Sequence, residues 1–414
     1  ASLVGSEMCI RDRYNIKVFR HNTAQNNSYI KTNTQKKINM KQKRLTFLLL
    51  LISNLFCASA QKWYKPEIDL KVEELLSQMT VEEKLGYIGG IDWMYTKSID
   101  RLGIHRMRMS DGPQGIGTKG KSTAYPATVT LAATWNENLA YQYGKALGRD
   151  CRARNINVIL GPAVNIYRAP MCGRNFEYMG EDPYLTSRIC VGYIKGVQDQ
   201  GVMATVKHFV ANNSDYDRNN ISNDIDERTL NEIYFPAYKA AIQEAEVGAI
   251  MTSYNLMNGI YTTENPWLLK EVLRNQWGFK GLVMSDWGST HYCVPAARSG
   301  LDLEMAGGEK MNPKDMAYYL KTGDVTMDMV DEKVRHILRI LIAFGFKDGT
   351  EADKSIALDD PQSVETALNV AREGLVLLKN ENNILPINPQ KYKHIIVTGK
   401  NAHGYVHGLS LIHI

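Results

Sequence analysis

The stretch GLVMSDWGST, residues 281–290, decides how the fold is interpreted. Its apolar run at 282–284 is flanked by glycines and followed by turn-forming residues, which predicts a short buried strand. Asp286 comes directly after this strand, and Trp287 follows it. An aspartate in this place can cap the next helix, or it can present a carboxylate where the strand ends. The rest of the chain distinguishes these two interpretations.

Three other short apolar runs have the same character: NVIL from Asn157, MATVKHFV from Met203 and GAIMTSYN from Gly248. Amphipathic patterns lie between the later runs, RTLNEIYFPAYKAAIQEAE from Arg228 and PWLLKEVLRNQWG from Pro266. The second pattern begins with proline and ends at glycine, as helices often do. Short strands that alternate with longer helices predict a parallel α/β architecture.

Polar and ionisable residues gather where the predicted strands end. Lys207 and His208 end one strand, Tyr254 follows another, and Asp286 follows a third. Barrels and open α/β sheets build active sites at such ends. The span 61–346 is close to the length of a (β/α)₈ barrel, about 250 residues, and this is the predicted fold. The chain has no GxGxxG or GxxxxGK motif, so a nucleotide site has no support.

The two ends of the chain carry a separate signal. EMCIRD, residues 7–12, and LSLIHI, residues 409–414, can be encoded by opposite strands of one DNA segment, which resembles a sequencing-library adapter. We therefore expect residues 1–39 to be translated adapter and untranslated leader, and residues 409–414 to be adapter. Finding those codons in the genomic locus would contradict this expectation.

Residues 40–60 are typical of a secretory signal peptide. Met40 begins a basic segment, an apolar core follows at 45–56, and Ala-Ser-Ala at 58–60 provides a cleavage site. The apolar core is too short to span a bilayer. The sequence thus predicts an exported protein, periplasmic or extracellular, without a membrane span.

Charge and cysteine content exclude two classes of function. The formal charge of +5 arises from the first 60 residues, and residues 61–408 carry 39 basic against 42 acidic side chains. This balance does not favour a nucleic-acid partner. Clustered histidines and CxxC spacings are absent, so no metal site is predicted. An exported protein could oxidise a pair of its cysteines, and the sequence leaves open which of these would pair: Cys151, Cys172, Cys190 and Cys293.

A composition change marks the end of the predicted barrel. Residues 347–365 are polar and read as an interdomain linker. Residues 366–408 then give a helix, an extended segment and a strand, HIIVTGKNA from His394. We expect this part to be the start of a second α/β domain.

Six blocks resemble glycoside hydrolase family 3, the β-glucosidase-like retaining enzymes. They read RMSDGPQGI, GRNFEYMGEDPYL, VKHFVANNSDYDR, MTSYN, GLVMSDW and AREGLVLLKNENNILPI, and they follow in the order that the family has. The resemblance covers residues 61–408. It implies a (β/α)₈ TIM-like barrel followed by an α/β sandwich domain, and an enzyme without a cofactor.

The resemblance implies that Asp286 is the catalytic nucleophile, whose carboxylate attacks the sugar and forms a covalent ester. Trp287 would offer an apolar ring face to the sugar, although plain core packing is the alternative. Nearby cations are expected to hold the pKa of Asp286 low. The family's sugar-binding positions fall on Asp111, Arg174, Lys207, His208, Arg218 and Tyr254.

The residues by themselves leave simpler interpretations open. Asp111 stands in an Asp-Gly-Pro turn, Arg174 could form a surface salt bridge, and His208 could be a satisfied core histidine. Three clustered acids, Glu177, Glu181 and Asp182, are interpreted mainly as loop-structuring residues. Glu304 is a further candidate for the barrel rim.

The second catalytic carboxyl group is expected outside this chain. In the β-glucosidase branch of the family the acid/base glutamate belongs to the second domain, beyond residue 408. The bacterial N-acetylglucosaminidase branch uses a histidine in a KHFPGHG-like motif. Here that place reads KHFVANNSDYD, without the PGH, which argues against this branch.

The sequence therefore predicts a retaining, exo-acting β-glucosidase whose partner is a β-linked oligosaccharide or glycoside. A β-xylosidase of the same family and a non-catalytic carbohydrate-binding protein are the alternatives. Residues 61–408 alone are expected to be poorly active, because they lack the acid/base residue.

Overall fold

The computed structural model describes residues 63–117, 121–168, 170–392, 394–399 and 402. The predicted signal peptide and both predicted adapter segments lie outside these residues and stay predictions. Among the helices described, none has the length and apolar character needed to cross a membrane.

Five parallel strands form the central sheet, in the order β1, β2, β3, β5 and β8. All residues of β2, β3, β5 and β8 are buried, because helices cover the outside of the sheet and side chains fill its inside. A smaller sheet of three short strands, β4, β6 and β7, lies apart from it. The strands are β1 Met109–Asp111, β2 Val158–Leu160, β3 Met203–Phe209, β4 Ser222–Asn223, β5 Ala249–Thr252, β6 Leu256–Met257, β7 Ile260–Tyr261 and β8 Leu282–Met284.

Backbone pairing closes the central sheet into a ring. β8 pairs in parallel with residues 302–304, which pair in parallel with residues 88–91. The chain then reverses at Asp92 and Trp93, and residues 94–96 run antiparallel between 88–91 and the start of β1. The described residues thus form a ring of eight strand-like segments, of which one is reversed. This confirms the predicted TIM-like barrel and adds the reversed segment to it.

The reversal depends on an uncommon backbone. Asp92 and Trp93 have φ values of 49° and 67°, in the left-handed region that side chains with a Cβ rarely occupy. The amide of Ile91 donates to the carbonyl of Tyr95 over 2.8 Å, which closes the turn. Neither residue is a glycine, so the amino-acid sequence does not indicate a left-handed turn here.

Helices surround the ring and begin where the sequence provides caps. Asn136 accepts a hydrogen bond from the amide of Leu139 at 3.0 Å, and Asp182 accepts one from Leu185 at 2.8 Å. The longer helices are Pro66–Gln78, Val81–Tyr87, Thr128–Ala133, Glu137–Arg152, Pro183–Gln198, Pro236–Gln243, Trp267–Gln276, Cys293–Ser299, Pro313–Thr322, Met327–Ala343 and Pro361–Glu373. Shorter turns are Asp100–Leu102, Asn175–Glu177, Glu227–Thr229, Leu230–Tyr234, Thr262–Glu264 and Glu381–Asn383.

Glycine allows two of these helices to approach closely. A Cβ atom on Gly144, in Glu137–Arg152, would lie 2.1 Å from the carbonyl oxygen of Tyr193 in Pro183–Gln198. No side chain can occupy that space. Any larger residue at this position would push the two helices apart.

The predicted helix at 228–246 is interrupted, whereas the one from Pro266 is continuous. Pro236 has no amide hydrogen to continue the preceding turns, so a separate helix begins there. The other helix, Trp267–Gln276, ends before Gly278, which has a φ of 70°. Both predicted boundaries at this second helix agree with the structure.

Helix Pro361–Glu373 crosses the predicted border between linker and second domain at residue 365. It is fastened to the barrel helices, because Arg149 donates to Asp360 at 2.7 Å and the Ser363 hydroxyl donates to Asp150 at 2.9 Å. After this helix the chain is extended, and Leu378 is 91% exposed. The division into a linker and a second domain stays a prediction.

Candidate active site

The carboxyl ends of the barrel strands bring the predicted site residues together. β1 ends in Asp111, β3 contains Lys207 and His208 near its end, and Asp286 follows β8 after one residue. Arg174 comes from the loop after β2. Parallel strands of a closed barrel point their ends in one direction, so these side chains meet above the core.

Asp286 lies at the centre of this group. It is 6% exposed, and its Oδ1 atom accepts a hydrogen bond from the amide of Trp287 at 2.7 Å. Its Oδ2 atom is 3.5 Å from His208 Nε2 and 3.8 Å from Arg174 Nη1. Oδ2 and Nη1 are among the buried polar atoms that lack a hydrogen-bond partner in the described part of the chain. Buried polar atoms are rarely left unpaired, so both atoms are suited to contact a ligand.

The electrostatics of Asp286 differ from the expectation. Burial raises the pKa of its carboxyl group above the ordinary value, and this effect exceeds the opposing influence of Arg174 and Lys207. The amide of Trp287 and the hydroxyl of Tyr254 also act to lower the pKa. The prediction that cations would hold this pKa low was wrong, because the sequence showed the charges but not the depth of burial.

Charges of alternating sign run through the site. Lys207 Nζ is 3.7 Å from Asp111 Oδ1 and 3.9 Å from Glu177 Oε2. Glu177 also accepts a close hydrogen bond from Arg174 Nε, and Arg174 faces Asp286. Except for Asp111, each of these side chains is less than a tenth exposed. Glu177, interpreted from the sequence as a loop residue, therefore joins the two cations of the site.

His208 is neutral in this setting. Burial lowers the pKa of its imidazole well below the usual value, and the charges of Arg174, Lys207 and Arg218 lower it further. Nη2 of Arg174 lies 2.8 Å from His208 Nε2. Because the ring carries no charge near neutral pH, it forms no ion pair with Asp286.

Aromatic residues form another side of the site. The guanidinium of Arg218 lies 4.1 Å from the ring centre of Tyr254 and pairs with Asp215 at 3.5 Å. Arg218 therefore contacts the site indirectly, by packing against the ring of Tyr254. The indole nitrogen of Trp287 donates to the backbone carbonyl of Trp93 at 2.8 Å. Trp287 is half-buried and Trp93 is 58% exposed, so both are available at the rim.

A comparison with models of known protein families shows which family the chain belongs to. The model of the glycosyl hydrolase family 3 N-terminal domain matches residues 80–340, which include the whole of this site. The chain belongs to glycosyl hydrolase family 3. The resemblance seen in the six sequence blocks is confirmed.

Relatives in family 3 include two bacterial β-glucosidases. The protein of Rhizobium radiobacter is 42% identical over 337 residues, which make up 80% of this chain and 41% of that protein. BoGH3A of Bacteroides ovatus is 41% identical over 369 residues, 81% of this chain and 49% of that protein. The chain spans less than half the length of these relatives.

Two solved β-glucosidase structures share the fold. β-Glucosidase 3B of Thermotoga neapolitana, in complex with α-D-glucose, aligns with a TM-score of 0.71 at 35% identity over 77% of this chain and 48% of that one. DesR, a β-glucosidase of Streptomyces venezuelae in complex with D-glucose, aligns with a TM-score of 0.72 at 36% identity over 78% and 43%.

Two of the remaining acidic candidates have structural roles in this family 3 barrel. Asp182 caps helix Pro183–Gln198, and Glu181 is exposed beside it. Glu304 is buried, and it accepts hydrogen bonds from the amides of Lys310 at 2.9 Å and Met311 at 2.6 Å. Asp182 thus has a structural role as a helix cap, and Glu304 anchors the loop that follows it. The interpretation of Glu181 as a loop residue stays a prediction.

Sequence reasoning missed Asn165. This buried residue lies beyond the end of β2 in the segment VNIY, and it contacts His208 through both atoms of its side-chain amide. A polar residue inside an otherwise apolar strand extension was the only signal. Trp93 was missed because the left-handed turn that presents it has no glycine.

The residues that the structure describes contain neither a metal-ligand cluster nor a disulfide. No three His, Cys, Asp or Glu side chains there are grouped as a metal site would require. The four cysteines that the structure describes carry free thiols, and Cys151 and Cys190 are buried.

Proposed function

We propose that this protein is a retaining, exo-acting β-glucosidase that uses Asp286 as its nucleophile. One observation carries the proposal: a buried carboxylate oxygen faces an arginine nitrogen at the carboxyl rim of a family 3 barrel, and neither atom has a hydrogen-bond partner among the described residues. The relatives that share this barrel are β-glucosidases, which supports glucose as the released sugar.

The proposed reaction is a double displacement. Oδ2 of Asp286 attacks the anomeric carbon, the bond to the leaving oxygen breaks, and the bonding electrons depart with that oxygen as it gains a proton. Water then attacks the glycosyl ester and restores the carboxylate. Arg174 Nη1, which has no hydrogen-bond partner among the described atoms, is free to bind the sugar or the carboxylate during these steps.

The alternating charges suit the recognition of a sugar. Hydroxyl groups donate to carboxylates and accept from cations, and charged partners make such hydrogen bonds stronger. Asp111 is the most accessible carboxylate of the series, with its side chain 39% exposed. We propose that Asp111, Arg174, Lys207 and His208 bind the sugar hydroxyls, and that Arg218 supports Tyr254 from behind.

The general acid is proposed to come from a part of the protein outside the described residues. A retaining glycosidase needs two carboxyl groups about 5 to 5.5 Å apart. Glu177, a close acidic neighbour, has its oxygens occupied by Arg174 and Lys207. The relatives extend well beyond the matched region, which leaves room for such a residue.

Covalent trapping tests the proposal without requiring the general acid. A 2,4-dinitrophenyl 2-deoxy-2-fluoro-β-glucoside has a leaving group that needs little protonation, and its glycosyl ester hydrolyses slowly. Mass spectrometry should find one fluoroglucosyl group on the peptide that contains Asp286, and none on Asp286→Asn. The matching β-xyloside reagent tests the nearest alternative, since faster labelling by it would make the protein a β-xylosidase. A carbohydrate-binding protein would show no label at all.

We further propose that the protein is exported to the periplasm or beyond the cell. The support is the basic, apolar and small-residue sequence of residues 40–60. Sequencing the amino terminus of the protein purified from its native cells should give Gln61 as the first residue. An amino terminus that retains residues 40–60 would contradict export by cleavage.

A further inference from the structure

We propose that Asn165 is a positioning residue that fixes the tautomer of His208 and thereby aims Arg174 at the nucleophile. The inference rests on the proposed function, because it concerns the same site. It starts from contacts that the double displacement does not itself require.

Asn165 holds His208 at three points. Its Oδ1 atom accepts the backbone amide of His208 at 2.9 Å, and its Nδ2 atom donates to the His208 carbonyl at 2.9 Å. The same Oδ1 atom lies 3.3 Å from His208 Nδ1. Asn165 is brought there because the extension of β2 pairs Ala163 with Lys207. A second donor, the Tyr238 hydroxyl, lies 2.6 Å from the same carbonyl and also holds this backbone in place.

These contacts determine which ring nitrogen of His208 carries the proton. The backbone amide can only donate and the backbone carbonyl can only accept, so the side-chain oxygen of Asn165 must face the amide. That oxygen also faces Nδ1, which can therefore only donate to it. At the other side of the ring Nη2 of Arg174, which can only donate, lies 2.8 Å from Nε2. Both ends of the ring thus require a hydrogen on Nδ1 and a bare Nε2.

The tautomer has a consequence for Arg174. A bare Nε2 accepts one hydrogen from Nη2, while Glu177 accepts from Nε. These two acceptors fix the plane of the guanidinium and direct the remaining nitrogen, Nη1, toward Asp286 Oδ2 at 3.8 Å. With a hydrogen on Nε2 instead, His208 would repel Arg174 and donate to Asp286, 3.5 Å away.

The charges that surround His208 support this neutral form. Arg174, Lys207 and Arg218 all oppose a positive charge on the ring. Asp286 is the acidic group that faces the ring, and Tyr178 packs against it edge-on at 6.2 Å between ring centres. The three cations outnumber this carboxylate among the described residues, so a new carboxylate beside Nδ1 would change the charge balance at the ring.

The test compares Asn165→Asp with a matched control. The introduced carboxylate would still accept from Nδ1, but its negative charge would favour a second proton on the ring. Nε2 would then donate rather than accept, and Arg174 would no longer be held with Nη1 directed toward Asp286. The control is Asn157→Asp, a buried asparagine just before β2 that likewise accepts a backbone amide, from Arg108 at 2.9 Å, and donates to Thr350 at 2.7 Å.

The first measurement is independent of activity. The protein is labelled with ¹⁵N-histidine, and the His208 signal is assigned by its loss in His208→Gln. Between pH 6 and 8 the wild type and Asn157→Asp should show a protonated Nδ1 and a bare Nε2. A protonated Nε2 in the wild type would overturn the inference, whatever the variants do.

The second measurement is the rate of labelling by the fluoroglucoside against pH. For Asn165→Asp we expect the labelling rate to fall by about 10- to 100-fold at pH values where His208 carries its second proton. The rate should recover at higher pH, where the ring loses that proton. A merely structural role would lower the rate of Asn165→Asp equally at all pH values, as for Asn157→Asp, and would refute the positioning role. If the wild type has the expected tautomer but takes no label, the proposed function fails while the assignment of the tautomer stands.

Discussion

Arg174 Nη1 and Asp286 Oδ2 face each other across 3.8 Å, and neither atom has a hydrogen-bond partner among the residues that the structure describes. Two opposite charges that approach without bonding leave room for a third group. In the proposed reaction this group is the sugar. The arrangement also means that these two side chains are placed to bind a ligand rather than to stabilise the fold.

Replacing Asp286 with asparagine should abolish the chemistry and leave the fold at least as stable. The folded-state pKa of Asp286 is raised above the unfolded value, so its ionised form weakens the folded state as pH rises past that unfolded value. At neutral pH the asparagine removes this penalty. We expect turnover of an activated aryl β-glucoside to fall by on the order of 10³-fold or more, with a melting temperature equal to or above that of the wild type. A large loss of melting temperature would contradict the raised pKa.

Replacing Arg174 with glutamine should move the acid limb of the pH profile to higher pH. Arg174 opposes the effect of burial on Asp286, so its removal raises the pKa of that carboxyl group further. The nucleophile then needs a higher pH to ionise. The labelling rate against pH measures this directly. Arg188→Gln, which breaks an exposed pair with Glu244, is the control and should leave the profile in place.

Replacing Glu177 with glutamine should destabilise the barrel more than an equivalent change at the surface. Glu177 joins Arg174 and Lys207, and all three side chains are less than a tenth exposed. Removal of one partner from a buried ionic group leaves uncompensated charge and costs about 3 to 5 kcal/mol. Glu244→Gln, which removes a half-exposed partner of Arg188, should cost about 1 kcal/mol or less. Urea unfolding of both variants gives the comparison, and equal losses would show that the buried network is not a stabilising unit.

The sequence predicts the barrel and the place of Asp286 because both depend on local patterns. Apolar runs that end in polar residues mark the strands, and parallel strands must bring those ends together. The reversed segment at 94–96 leaves no such pattern, since Asp92 and Trp93 adopt a left-handed turn without glycine. The roles of Glu177 and Asn165 depend on contacts with Lys207 and His208 of β3, which are distant in the sequence, so no local pattern encodes them.

The pKa of Asp286 is a second property that the sequence alone does not predict. Cationic residues could be counted in the sequence, and they do act in the predicted direction. Burial acts in the opposite direction and is larger, but it is a property of the folded barrel. A prediction from charge alone therefore had the wrong sign.

Residues after helix Pro361–Glu373 should account for much of the exposed apolar surface of this chain. Leu375, Leu378 and Ile396 are 80%, 91% and 89% exposed, whereas Val370 of the helix is fully buried. Exposed apolar stretches of this kind bind hydrophobic dyes and promote aggregation. A chain that ends at Gly374 keeps the docked helix, so it should bind less of the dye ANS, aggregate more slowly and melt at the same temperature. The control is a chain that ends at 360, before the helix. It should lose the contact between Ser363 and Asp150 and melt at a lower temperature. Unchanged dye binding after truncation at Gly374 would show that the segment is covered in solution.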